Sequence, residues 1–169
     1  MTDDSISSDP TMQAIGKAVS RGREGDVEAS RRDLLAIWKT IGAAGDPFHR
    51  CTLAHYLADL YENPAEALIW NVRALDAADS LTDRRAQQYH STLQVAGFFP
   101  SLHLNIADDL RRMGAFGAAD DHIRRAEQHI PALPDGDYGD TIRQAIIGVR
   151  QAIRRSDTAS RESAPHARP

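Results

Sequence analysis

Along most of the chain apolar residues recur at intervals of three and four, and strict alternation never persists, so the pattern predicts helices rather than a sheet. Leu34, Ile37, Trp38 and Ile41 form one stripe, and Leu68, Val72 and Leu75 a second. Leu102, Ile106, Leu110 and Met113 make a third, and Ile142, Ile146, Val149 and Ile153 a fourth. Gly22 and Gly25, Gly45 with Pro47, Pro64, Gly97 with Pro100, Gly114, and Pro131 with Pro134 break the rhythm between stripes. Asp46-Pro47 and Asn63-Pro64 read as helix N-caps followed by proline at the first helical position, where its missing N–H costs little. The spacing predicts about eight helices, over 11–22, 26–42, 47–61, 64–80, 83–96, 100–113, 116–131 and 138–155. Residues 1–10 and 156–169 are polar and free of aromatics, and are expected to be disordered tails around a helical domain of 11–155.

Two windows share a finer pattern. Ala18, Gly25, Val27, Ser30, Leu34 and Ile37 are spaced by 7, 2, 3, 4 and 3 residues, and so are Ala107, Gly114, Phe116, Ala119, Ile123 and Ala126. Pro131 follows Ala126 by five residues, and a middle window keeps Ala67 and Ala74 seven apart. This pattern resembles the tetratricopeptide repeat, a helix–turn–helix unit of ~34 residues with small side chains where its helices cross. The resemblance implies an all-α, right-handed solenoid of helical hairpins, about three repeats long. In it Ala107 and Ala119 admit close backbones, Gly114 makes the turn and Ala126 admits the next helix. A generic helical bundle also places small residues at tight crossings.

The array is not uniform. Ser30 to Ala67 is 37 residues but Ala67 to Ala119 is 52. The surplus around residues 82–100 carries Ala86, Tyr89, Leu93 and Ala96, the stripe of an inserted helix ending at Gly97. "GFFP" then reads as a chain reversal, with a kinked continuous helix as the alternative. The last helix has acidic residues at its start and Arg154-Arg155 at its end, in keeping with the helix dipole, and reads as a cap.

The resemblance also implies a concave groove lined by the first helix of each repeat. Asn105, two residues before Ala107, stands where related repeats often carry an asparagine whose amide bonds a ligand backbone. By the same frame His103, Asp108 and Arg112 face the groove or its rim, and His55 and Asp59, one turn apart, occupy the corresponding surface of the second repeat. For the histidines the competing reading is a partly buried ring bonded to a neighbouring helix. Phe98 and Phe99 are candidate partner anchors, against a plug that holds the inserted helix.

Composition narrows the chemistry. A net charge of −4 gives no reason to expect nucleic acid or an anionic membrane as partner. The arginine face Arg143, Arg150 and Arg154 lacks interleaved aromatics for stacking bases. Adjacent arginines (Arg31-Arg32, Arg84-Arg85, Arg111-Arg112, Arg124-Arg125, Arg154-Arg155) lie near aspartates and read as solvated faces. One cysteine, Cys51, forms no internal disulfide, and no apolar run reaches the ~20 residues of a membrane span, so a cytoplasmic protein is expected. Seven histidines invite a metal reading, yet HExxH and CxxC are absent. Cys51 and His55 stand at i, i+4, but without a phosphate loop or nucleophile elbow no catalytic residue is assigned. The expectation is a non-enzymatic scaffold, without cofactor or metal, that binds a polar or basic peptide or protein. A small-molecule- or metal-binding helical protein, even an enzyme, using the same His/Asp/Asn cluster is the alternative.

Overall fold

Aspartate and proline set where most helices begin. In a computed structural model, which describes residues 9–161, the chain forms α1 (Pro10–Arg23), α2 (Val27–Ile41), α3 (Pro47–Ala58), α4 (Pro64–Asp79), α5 (Asp83–Gln87), α6 (Phe99–Arg112), α7 (Phe116–Gln128) and α8 (Asp137–Arg154). Asp9, Asp26, Asp46, Asn63 and Thr82 cap the first five with side-chain oxygens, and proline opens α1, α3 and α4. Each cap satisfies amide donors that the first helical turn leaves unpaired. No strand occurs among the described residues.

Consecutive helices pair into three hairpins, α1–α2, α3–α4 and α6–α7, with α2 against α3 and α4 against α6 joining them in series. α8 closes the end by packing on both α6 and α7. Two of the turns use left-handed glycines at matching positions of the shared pattern, Gly25 at φ +107° and Gly114 at φ +79°. Gly114→Ala should cost about 1–2 kcal/mol, since a Cβ strains that backbone. Gly117→Ala, inside α7 with open space around its Cα, should instead stabilise by up to ~1 kcal/mol. Thermal melts of the two variants moving in the same direction would contradict this assignment.

The small residues lie where helices cross. Ala107, Ala119 and Ala126 are all fully buried, in a second core with Leu104, Ile123, Ile146, Val149 and Ile153. Ala18, Ser30 and Leu34 are likewise buried in the first hairpin. The larger first core gathers Ile15, Leu34, Leu53, Leu57 and Trp70, and reaches Leu102 of α6. α6 therefore feeds both cores, Leu102 into one and Leu104 and Ala107 into the other. Each fully buried leucine or isoleucine contributes roughly 1.5–3 kcal/mol.

The inserted helix is much shorter than its stripe predicts. α5 stops at Gln87, and the chain continues through turns to a 3₁₀ segment, Val95–Phe98, that runs directly into α6. Local bonds outcompete the helix: His90 Nδ1 accepts from the Thr92 amide, and Asp83 Oδ1 accepts from the Val95 amide at 2.8 Å. Tyr89 meanwhile turns onto Phe48, ring centroids 5.2 Å apart. GFFP is thus neither a reversal between two helices nor a kink in one; it is the lead-in to α6. Arg85 fastens α5 to the hairpins by bonding Asp46 at 2.7 Å and approaching Asp9 at 3.4 Å, while His49 meets Asp9 at 2.6 Å. Burial pushes the Asp9 and Asp46 carboxyls up, but these partners and the capped amides outweigh it and hold both below the ordinary range.

Of the expected tails, residues 1–8 and 162–169 lie outside the described residues. Asp9 and Pro10 belong to the capped start of α1, and residues 156–161 fold back towards α6.

Candidate functional site

α6 is enclosed by α4, α7 and α8, yet its sequence FPSLHLNIADDLRR carries six strongly polar residues. They cannot all reach solvent, and each direction around the helix gives them a different partner.

Towards α7, His103 is 6% exposed, and its Nδ1 meets His122 Nδ1 at 3.0 Å. The His129 ring lies nearly parallel to His103, and Phe99 stacks on His129 at 5.2 Å. Burial, with His122, Arg125 and His129 adding to it, pushes the His103 imidazole down to about 4. His122 is also lowered, by burial and Arg125. Both rings are neutral at pH 7, one donating its N–H and the other accepting. His103 is therefore a buried contact between helices and not a groove residue, because its register turns it onto α7.

Towards α4, Asp109 accepts from Asn71 Nδ2 at 2.7 Å, and both residues are at least 95% buried. Desolvation is the main reason the Asp109 carboxyl is pushed up to about 7. Asp108 and Asp59 reinforce it, while the Asn71 bond and Arg112 oppose it. Asn71 Oδ1 is buried without a partner among the described residues. A protonated Asp109 carboxyl carries a donor of the kind Asn71 Oδ1 lacks, and a neutral acid and an amide can exchange two hydrogen bonds.

At its C-terminal end, α6 holds Arg111, the largest side chain that is fully buried. Asp108 Oδ1 accepts from Arg111 Nε at 3.0 Å and Nη2 at 2.8 Å. The same guanidinium donates to the carbonyls of Asp157 at 2.5 Å and Ala159 at 2.9 Å. Asp108 also meets Arg161 Nε at 3.3 Å. Arg112 donates to the Glu62 carbonyl at 2.7 Å, and Arg31 to the Leu60 carbonyl at 2.6 Å, so both tie down the α3–α4 loop. In three of the arginine pairs at least one member thus turns inward: Arg31, Arg85 and Arg111. Adjacent helix residues point about 100° apart, so two neighbours seldom share one solvated face.

What remains available is a smaller set. Asn105 is half-buried with no hydrogen bond to a described residue, and Asp109 and Arg112 follow it one and two turns along the same face of α6. On α3, Asp59 is exposed at the C-terminal end, close enough to act on Asp109. His55, one turn earlier, is half-buried with its Nδ1 lacking a partner. Of the six groove candidates, His55, Asp59 and Asn105 are uncommitted; His103, Asp108 and Arg112 have partners within the chain. Phe98 and Phe99 are half-buried against the first core, so neither stands out as an anchor.

Sequence reasoning missed Asn71, Asp109, Arg111, His122 and His129. For Asn71 a signal existed: it stands four residues after Ala67, the offset at which Leu34 follows Ser30 and Ile123 follows Ala119. A polar residue in an apolar register asks for a buried partner. Burial pushes the Cys51 thiol up to about 12, which keeps it protonated. Among the described residues no three His, Cys, Asp or Glu side chains are grouped to hold a metal ion, and no helix is long and apolar enough to cross a membrane. No protein-family model, curated protein or solved structure matches the chain.

Proposed function

We propose that the chain is a non-enzymatic adaptor, a divergent tetratricopeptide-like array of three hairpins. It binds an extended, polar or basic segment of a partner protein along the face shared by α3 and α6. The observation that carries this reading is the set of unspent polar groups there: the Asn105 amide, the His55 Nδ1 and the Asp59 carboxylate. Of these only His55 Nδ1 is buried without a partner, a costly state, and a ligand backbone with alternating donors and acceptors satisfies an asparagine amide on both sides. The exposed Asp59 carboxylate, which has no ion-pair partner among the described residues, favours cations. Matching positive-φ glycines and buried small residues in the first and third hairpins support the repeat.

Asn105→Ala should leave the stability nearly unchanged, within ~0.5 kcal/mol, because the amide has no partner to lose. It should at the same time abolish capture of the partner from native lysate, identified by mass spectrometry. Capture that survives Asn105→Ala and His55→Ala together would sink the groove reading.

A further inference from the structure

After α8 the chain does not leave the fold. Ser156 takes a left-handed conformation, φ +52°, which L residues with a side chain avoid. That turn carries residues 157–161 back across the end of α6 in a non-helical conformation. Its hold there is unusual in kind. Two bonds go from Arg111 to main-chain carbonyls, those of Asp157 and Ala159, and a third link pairs Arg161 with Asp108. Residues 158–161 are otherwise exposed, so the segment buries little apolar surface. The grip is on backbone and on one positive charge, hence indifferent to most side chains. The gripping group is rigid, a guanidinium 1% exposed and fixed by the two bonds it donates to Asp108. If the segment leaves, buried N–H donors lose their acceptors, a costly state that any other extended backbone relieves. Asp108 lies one helical turn from Asn105 on α6.

We infer that Arg111 and Asp108 form the arginine-reading end of a peptide site, and that residues 157–161 occupy it as the chain's own stand-in. The partner it takes is an extended segment offering two carbonyls two residues apart, with an arginine two residues after the second. This inference rests on the adaptor reading and deepens it: the partner displaces the chain's own segment, which sets a threshold for binding.

The test uses the full chain and a labelled, end-blocked peptide of residues 156–161, SDTASR, read by fluorescence anisotropy. Ser156→Pro cannot adopt the left-handed turn, so it releases the segment without touching α6. It should bind the probe at least tenfold more tightly than wild type does, and a probe with alanine for its arginine should lose at least tenfold. Ser156→Gly, which accepts the turn freely, should bind no better than wild type. A folded Ser156→Pro that ignores the probe, or binds both probes alike, overturns the inference and leaves residues 157–161 a structural clip. If Ser156→Pro melts early, Arg161→Ala replaces it; no gain over wild type then overturns the inference equally. The groove reading is judged separately, by partner capture with Asn105→Ala: failure of the probe alone removes only the stand-in.

Discussion

Asp109→Asn is expected to stabilise the protein at pH 8 by up to about 4 kcal/mol and to give no such gain near pH 4. The carboxyl is raised from 3.8 to about 7 in the folded chain, and roughly three pH units at 1.4 kcal/mol each set that ceiling. The sign follows from proton counting. Between those values the folded state holds a proton that the unfolded state has released. The protonated pair with Asn71 therefore contributes fully below about 4, and its contribution is lost as the pH rises through 7. Asparagine keeps the shape, carries no charge at any pH and still offers a donor to Asn71 Oδ1. Denaturant melts of both proteins from pH 4 to 8 give the difference directly. Parallel profiles would mean that Asp109 does not titrate as described. The histidines act in the opposite sense: His103 is depressed to about 4, so its contribution is present above 6.5 and lost as the pH falls. Subtracting the Asp109→Asn profile from wild type removes that background.

Ala119→Leu should cost about 2–3 kcal/mol, lowering the melting temperature by several degrees, whereas Ala118→Leu beside it should be nearly neutral. Ala119 is 0% exposed at the α6–α7 crossing with Ala107, and Ala118 is on the open face of α7. Three extra carbons at the first position must force the helices apart or take a strained rotamer; at the second they meet water. Equal effects would mean that the crossing is not set by small residues. The outcome also bears on the repeat, since Ser30 and Ala67 hold the corresponding positions and are buried as well.

The groove candidates show how far helix registers can be read before the neighbours are known. Asn105, His55 and Asp59 remain available, and the i, i+4 relation of His55 and Asp59 was visible along the chain. His103 looked equivalent to Asn105 because the repeat frame places both at the groove, yet a rotation of 200° separates residues two apart on a helix. That rotation puts His103 against His122 and His129, residues nineteen or more positions away in sequence. The arginine pairs looked solvated because aspartates stand beside them; Arg111 instead finds carbonyls forty-six and forty-eight residues on.

The chain by itself determined the helices, their caps, the glycine turns and the small-residue crossings, because each depends on residues within one or two turns of one another. It also carried the polar misfit at Asn71. Bonds within the insert, together with the contacts of Tyr89 and Arg85 to the hairpins, shortened it to one short helix, and tertiary packing alone decided that Asp109 meets Asn71. It likewise decided that Arg111 grips the segment after α8. Those outcomes depend on how much water is removed from a group and which distant partner replaces it, and neither is a property of the local sequence.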